Sequence, residues 1–306
     1  MNYRHAYHAG NFADVLKHVV LAHVITHLKR KARPFRVIDT HAGVGLYDLS
    51  SEAAEKTGEW RDGVGRLGID GLSTFASTPG AEKQSVGSPA LQALLGPYKA
   101  ALQGALGLAG DLTTGGDASM AYPGSPMIAA ALLRATDKLI ANELHPEDRY
   151  ELAMTLKRVT QAKVMGLNGY TALKALLPPS ERRGAILIDP PFEEPGELDR
   201  MVDGLRQGLK RFASGTFILW YPIKAMAPVD AFKAKVVEMT SCDVLFAELY
   251  LRAPTDPDRL NGCGVGIANP PFQLDGVLRD GLPELIDVLS DEAGRTATVR
   301  LSTGGG

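Results

Sequence analysis

Short apolar runs alternate with helical patterns along most of the chain. Between Ala13 and Lys31 the apolar residues recur every three or four positions, which predicts a helix capped by Asn11 or Asp14. The segment "PFRVIDTHAGVG" then predicts a strand that opens into a glycine-bearing loop. Further strands are predicted at residues 137–143, 162–168, 185–189, 216–222, 243–250 and 264–269, and the last of these closes the pattern. Helical stretches separate most of the strands, so the sequence predicts an α/β fold with a mainly parallel, doubly wound sheet.

The interval from Tyr47 to Ala121 breaks this alternation. It is rich in Gly, Ser and Pro around one helical segment, "SPALQALLGPYKAALQGAL". We therefore predict a helical insertion at 47–120, between an N-terminal part at 1–46 and the remainder of the same domain at 121–306. The α/β pattern resumes at "YPGSP", where Ser125 is suited to cap a helix and Pro126 to its first turn.

The composition is that of an ordinary globular protein and indicates no particular activity. The 306 residues are 45% hydrophobic and 22% charged, and no apolar run approaches the roughly 20 residues of a membrane span. The N-terminus has no apolar signal-peptide core, so the cytoplasm is the expected location. Cys242 and Cys263 form no C-x-x-C pair. A net charge of -2 gives no overall attraction to nucleic acid, and any such binding must be local.

Candidate ligand-binding residues follow three of the predicted strands, at the sheet edge where open α/β sheets bind ligands. "DTHAGVG" has the D-x-x-x-G-x-G frame of S-adenosylmethionine-dependent methyltransferases, with His41 where a glycine often stands and Gly43 in the turn. Glu143 could accept from both ribose hydroxyls of an adenosyl group. Asn168 and Gly169 suit an adenine edge. A surface carboxylate and an ordinary Asn-Gly turn are the alternative interpretations of these last two signals.

The fourth strand ends in a stiff tetrapeptide, Asp-Pro-Pro-Phe. Neither proline has an N–H, so the Asp189 carboxylate and the Pro190 carbonyl can both face a ligand as acceptors. Two such acceptors could hold the two N–H groups of a nucleobase amine while Phe192 stacks on the base. A rigid strand end explains the prolines but not the acid and the aromatic ring beside them. A second Pro-Pro-Phe follows Asn269, and we interpret it as structural.

The combination "YRHAYHAGNFADVLKH", "DTHAGVGLY", "YPGSP", "NELHP", "ILIDPPFE", "LWYP" and "NPPF" resembles, over nearly the whole chain, the RlmJ family of 23S ribosomal RNA adenine-N6 methyltransferases. The resemblance implies a Rossmann-like methyltransferase fold with a small helical insertion. It also implies S-adenosyl-L-methionine as the donor and methylation without a metal. The expected partner is 23S rRNA, free or in an early assembly intermediate, and the enzyme is expected to be a monomer that binds no membrane.

The resemblance also implies roles for individual residues. By motif position it assigns the catalytic acceptor to Asp189 and cofactor contacts to His18, His41, Ser125, Glu143, Asn168, Gly169 and Asp189. The residue pattern described above adds Pro190 and Phe192 to the catalytic set and Gly43 to the cofactor set. Tyr3, His5 and Lys17 would lie near the substrate base. Asn168 stands where the family has an aspartate, which weakens one expected adenine contact.

Other functions remain open from the sequence. The acceptor could be a DNA adenine or a protein glutamine amide, because both present the same planar nitrogen. A non-catalytic RNA-binding module is the third hypothesis. His23 and His27 have the i, i+4 spacing of metal ligands, but the sequence offers no third ligand, so no metal site is predicted.

Overall fold

A central twisted sheet organises the protein in a computed structural model, which describes residues 5–68, 87–110 and 120–304. Its strands run in the order β10-β8-β9-β7-β6-β1-β4-β5, and β2 and β3 form a separate ribbon. The bounds are β1 Arg36–Asp39, β2 Leu46–Asp48, β3 Ala121–Pro123, β4 Lys138–Asn142, β5 Ala162–Met165, β6 Gly184–Ile188, β7 Thr216–Ile223, β8 Val244–Tyr250, β9 Gly262–Ala268 and β10 Thr296–Ser302.

The part of the sheet formed by β5, β4, β1, β6 and β7 is parallel throughout, whereas β9 runs antiparallel between β7 and β8. All five residues of β6 are buried, as expected for a parallel strand that helices cover on both faces. The chain reverses its direction of winding at β1, which lies between β4 and β6. The predicted α/β class, with a mainly parallel doubly wound sheet, is confirmed.

Helices cover both faces of the sheet. They are α1 Phe12–Lys29, α2 Glu52–Thr57, α3 Pro89–Ala109, α4 Ser125–Leu132, α5 Pro146–Thr155, α6 Gly169–Leu176, α7 Glu197–Arg211, α8 Met226–Met239 and α9 Leu274–Leu289, with short 3-10 turns at His5–Tyr7, Glu59–Asp62 and Val64–Leu67. The helices α1, α3, α4 and α9 share one hydrophobic core, and α6, α7 and α8 pack on the opposite face. Asn11 caps α1 by accepting from the N–H groups of Ala13 and Asp14, which decides between the two predicted caps.

Two expectations from the sequence are wrong. Ser125 does not cap α4, because Gly124 occupies that position and Ser125 is the first helical residue. The strand before Asn269 is not the last one, because β10 follows and pairs antiparallel with β8. Most residues of β10 are exposed, so the strand lacks the apolar run that identifies a buried strand in sequence.

The predicted insertion is joined to the sheet by the β2–β3 ribbon, in which Leu46 pairs with Pro123. Its long helix α3 packs against α1, α4 and α9 and contributes to their core. The division at 47–120 remains a prediction, and residues 69–86 and 111–119 of that interval lie outside the described part of the chain. Within the described ranges, no helix is both long enough and apolar enough to cross a membrane.

Candidate active site

A cavity of about 610 Å³ opens at the carboxyl ends of β1, β4, β5 and β6 and beside the end of β7. The sequence-predicted site residues that line it are His5, Lys17, His18, His41, Gly43, Ser125, Glu143, Asn168, Gly169, Asp189, Pro190 and Phe192. Tyr3 lies outside the described residues. Side chains from α1 and from four strand ends therefore converge on one space, although the chain between them spans more than half of its length.

The catalytic candidate Asp189 is ion-paired with Lys17. The Lys17 ammonium lies 2.7 Å from Asp189 Oδ2 and 2.7 Å from Asp14 Oδ1. Asp14 in turn accepts from the Gly10 N–H at 2.9 Å, and His5 Nε2 lies 3.0 Å from its Oδ2. The helix α1 thus holds a buried cation between two carboxylates, one on its own first turn and one at the end of β6.

Mutual attraction favours the charged forms of Asp14 and Lys17 despite their burial. Burial alone would raise the pKa of Asp14, but Lys17 and His5 outweigh it and hold that pKa well below its usual range. Burial alone would lower the pKa of Lys17, but Asp14 and Asp189 outweigh it and hold that pKa well above its usual range. Lys17 is therefore a permanent cation at the floor of the cavity.

Aromatic side chains form one wall beside Asp189. Phe192 adopts a positive φ of 53°, which is unusual for a bulky residue and turns the chain sharply after the two prolines. Its ring meets the indole of Trp220 edge-on, with centroids 5.6 Å apart and planes at 70°. Both residues line the cavity, so two aromatic planes meet at a corner next to the catalytic candidate.

The glycine loop after β1 is held by Glu143. Glu143 Oε2 accepts from the Gly43 N–H at 2.9 Å, and its Oε1 accepts from the His145 N–H at 2.8 Å. Gly43 has a positive φ of 60°, which favours glycine there. Burial raises the pKa of Glu143, although the two N–H donors oppose that shift. The carboxylate therefore ties two cavity loops together through the backbone.

Deeper in the cavity, Ser125 and His18 make buried polar contacts. The Ser125 hydroxyl donates to Asp39 Oδ2 at 2.6 Å. Burial raises the pKa of Asp39 to about 6, against the opposing effect of that hydroxyl. His18 Nδ1 lies 2.8 Å from the Tyr122 hydroxyl, and burial lowers the pKa of His18 to about 3, so the ring is neutral near pH 7.

Asn168, Gly169 and His41 form a close-packed group at the other end of the cavity. Asn168 Oδ1 caps α6 by accepting from the N–H groups of Tyr170 and Thr171 at 3.1 and 3.2 Å. A Cβ on Gly169 would lie 2.4 Å from His41 Nε2, so only glycine fits beside that ring. Burial lowers the pKa of His41 to about 4. Because Asn168 Oδ1 already serves the helix, its expected role as an adenine acceptor remains a prediction.

Asp14 and Trp220 are among the cavity-lining residues to which sequence reasoning assigned no site role. Asp14 anchors Lys17 from the preceding helical turn, and its i, i+3 spacing was visible in the N-terminal motif. Trp220 lies in the "LWYP" motif, where the strand pattern alone does not show which face meets the cavity.

The second Pro-Pro-Phe copy has a different role. Asn269 has a φ of 54° and donates from Nδ2 to the carbonyls of Ala213 and Gly215, both at 2.8 Å. It ties the end of β9 to the loop before β7 and is absent from the lining of the described cavity. These contacts agree with the structural interpretation of Asn269, which stays a prediction. Throughout the described ranges, no group of three or more His, Cys, Asp or Glu side chains is arranged to hold a metal ion.

Comparison with known proteins identifies the family. The family described as "Ribosomal RNA large subunit methyltransferase D, RlmJ" matches residues 32–71 and 98–301. Two curated proteins called "Ribosomal RNA large subunit methyltransferase J" are similar over nearly their whole length. The one from Haemophilus influenzae is 36% identical over 304 residues, covering 99% of both chains, and the one from Escherichia coli K12 is 37% identical over 300 residues, covering 98% of both.

A solved structure has the same fold. The crystal structure of protein LPL1258 from Legionella pneumophila superposes with a TM-score of 0.77 at 28% identity, covering 97% of this chain and 98% of that one. Sequence similarity covers nearly the whole chain, and the described residues share the architecture of that structure. The chain belongs to the RlmJ family of ribosomal RNA large subunit methyltransferases.

Proposed function

We propose that the protein transfers a methyl group from S-adenosyl-L-methionine to the exocyclic N6 amine of one adenine in 23S rRNA. The observation that carries this proposal is the carboxylate of Asp189 at the end of β6, between the Lys17 ammonium and an aromatic corner. The family gives large-subunit rRNA as the expected substrate class, and this carboxylate gives the reason to choose an amine of a base as the acceptor.

The cavity residues fit S-adenosylmethionine. His18 lines the cavity, and its buried Nε2 has no hydrogen-bond partner among the described residues. Gly169 lets the His41 ring pack directly against its backbone, and both residues line the cavity. Glu143 and Asp148 add carboxylates to the same lining, and such acceptors suit ribose hydroxyls and a positively charged ligand. When bound, this cofactor supplies a methyl group on a sulfonium.

The two carboxylate oxygens of Asp189 have different roles in this proposal. Lys17 donates to Oδ2 at 2.7 Å, while Oδ1 has no hydrogen bond from any described residue. We assign Oδ1 and the Pro190 carbonyl to the two N–H groups of the adenine amine. This contact favours a pyramidal nitrogen and directs its lone pair, so the residues act by positioning and electrostatics. The amine loses one proton as it gains the methyl group, and Oδ1 is the base that faces that proton.

The neighbouring residues complete the acceptor site in this proposal. The Phe192 ring stacks on the face of the flipped adenine. His5 and Tyr3 are assigned to the substrate side by the family motif, and His5 touches Asp14 there. An unpaired base is the expected form of the substrate, which favours 23S rRNA that is free or in an early assembly intermediate.

The test is methylation of unmodified 23S rRNA with labelled S-adenosylmethionine, followed by mass spectrometry of the nucleosides. We expect N6-methyladenosine at one position, with less product from assembled subunits than from free RNA. Asp189→Ala should abolish transfer while calorimetry still detects S-adenosylhomocysteine. Asp280→Ala, an exposed carboxylate away from the cavity, is the matched control. Any other methylated nucleoside, or product only on DNA or on ribosomal protein glutamines in parallel assays, would refute the proposal.

A further inference from the structure

Strand β7 extends past its parallel neighbour into the cavity. It pairs with β6 only as far as Leu219 and Ile188, whereas it pairs with β9 as far as Ile223 and Gly262. The four residues Trp220 to Ile223 therefore have a strand on one side and the cavity region on the other. Because Asp189 follows Ile188 directly, this overhang begins beside the catalytic carboxylate.

Alternate side chains of the overhang face the cavity and the hydrophobic core on the opposite side of the sheet. Trp220, Pro222 and Lys224 line the cavity, while Tyr221 and Ile223 are fully buried in the opposite core. Residues two apart on a strand share a face, so Trp220 and Pro222 form one wall, and Lys224 lines the same cavity directly after the strand ends. Pro222 cannot donate to a neighbouring strand, and an unpaired sheet edge is where proline is tolerated.

The indole of Trp220 is placed to touch a base. Its ring is half-buried and meets the Phe192 ring at 70°. A base held by Asp189 at this corner can stack on one ring while its edge packs against the other. Aromatic faces accept bases in single-stranded RNA in this way.

Lys224 carries an unneutralised charge at the same wall. Among the described residues, three lysine or arginine side chains line the cavity, and two of them are neutralised: Lys17 by two aspartates, and Arg200 by Glu197 at 2.6 Å. Lys224 is exposed and makes no ion pair with the described residues. Four extended residues place its Cα about 13 Å from that of Trp220.

Three carboxylates in the same cavity lining bear on the role of Lys224. Glu193, Glu194 and Asp258 also line the cavity and would repel an RNA phosphate. A phosphate that follows the base into this space is therefore favoured only where the lysine offsets that repulsion. This distribution of charges favours contact between the Lys224 ammonium and a phosphate of the RNA backbone.

We propose that the β7 overhang, from Trp220 to Ile223, together with Lys224 directly after it, is the subsite that binds the target nucleotide. Trp220 forms a second aromatic wall against the adenine, and Lys224 contacts the phosphate of that nucleotide or of the next one. The inference rests on the proposed function, because it assigns the substrate side of the same cavity.

Kinetics test both residues. With 23S rRNA as substrate, Trp220→Leu should lose about 5- to 140-fold in kcat/KM, the range that matches stacking of one base on one ring, and Trp220→Phe should retain most activity. Lys224→Met should raise the KM for RNA without lowering kcat and should reduce the salt dependence of binding by about 0.7 in log–log slope. Lys224→Arg should restore both. The exposed Lys157→Met is the matched control, and all variants should bind S-adenosylhomocysteine like the wild type.

Fluorescence gives a readout that does not need turnover. The chain has two tryptophans, so Trp60→Phe leaves Trp220 as its one indole emitter. With S-adenosylhomocysteine present, AMP should quench this emission more strongly than UMP, and a Trp60→Phe, Trp220→Phe variant provides the blank. Unchanged emission on saturation with AMP would overturn the assignment of Trp220.

The two proposals fail in different ways. If the wild type methylates no RNA, the proposed function is wrong, whatever the fluorescence shows. If the wild type makes N6-methyladenosine but Trp220→Leu and Lys224→Met match it in kcat/KM and salt dependence, the subsite alone is wrong.

Discussion

Replacing Lys17 by methionine should expose how strongly the buried charges depend on one another. The side chains of Lys17, Asp14 and Asp189 are 6%, 2% and 14% exposed, and both carboxylates lie 2.7 Å from the ammonium. Methionine keeps most of the stem and removes the charge, which leaves two aspartates facing one space. Removing one partner of a buried ion pair costs about 3–5 kcal/mol, and we expect the free energy of unfolding at pH 8 to fall by that amount.

The pH dependence gives the sharper test. Lys17 now opposes the burial that would raise the pKa of Asp14. Without the ammonium, burial prevails and the folded-state pKa rises above the unfolded value. A carboxyl group with a raised folded pKa stabilises the folded state at low pH, and this stabilisation is lost as pH rises through that pKa. The destabilisation of Lys17→Met relative to wild type should therefore be largest at pH 8 and shrink by about 1.4 kcal/mol for each pH unit below the raised folded pKa, as far as the unfolded pKa.

Urea unfolding followed by circular dichroism at pH 8, 6.5 and 5 measures this difference. Lys157→Met, an exposed lysine outside the cavity, should match the wild type. Asp14→Asn combined with Lys17→Met should recover part of the lost stability, because it removes one of the two facing charges. A loss below about 1 kcal/mol at pH 8, or one that grows toward pH 5, would refute the reasoning.

Three further predictions test other contacts. Burial lowers the pKa of His18 to about 3, so its neutral ring stabilises the fold above pH 6.5 and this contribution is lost as pH falls toward 3. By pH 5 the loss in the free energy of unfolding is about 2 kcal/mol. In His18→Gln, the free energy of unfolding measured in urea should therefore vary with pH by about 2 kcal/mol less than in the wild type. Gly169→Ala should weaken S-adenosylhomocysteine binding at least tenfold in calorimetry, because its Cβ would lie 2.4 Å from His41 Nε2, and unchanged affinity would contradict the close packing. Gly107→Ala, in α3 with nothing within 4 Å of a new Cβ, should instead raise the free energy of unfolding by about 0.5–1 kcal/mol, and a loss would show an unseen contact.

The strand ends could be predicted from sequence because their signal is local. An apolar run followed by a polar residue marks both the buried strand and the ligand-facing position after it. Asp189 and Glu143 were found in this way, and both line the cavity. The edge strand β10 was missed because a strand with one exposed face and a polar composition looks like a loop in sequence.

Contacts between distant segments could not be predicted from the residues alone. The i, i+3 pair of Asp14 and Lys17 is visible on a helix, but the sequence does not show that Asp189, 172 residues away, meets the same ammonium. Ser125 was expected to cap its own helix as well as to contact the cofactor, but its hydroxyl donates to the buried Asp39 at the end of β1. Trp220 needed the register of β7 against β6, because only the overhang exposes its face.

The bridge that Glu143 makes between Gly43 and His145 bears on the entropy of ligand binding. A loop that must become ordered around a ligand lowers affinity by the conformational freedom it loses. Here the loops after β1 and β4 are already fastened to one carboxylate, so a ligand entering between them meets a preorganised wall. The contacts with the ligand then contribute most of the binding free energy, because these two loops lose little conformational entropy when the ligand binds.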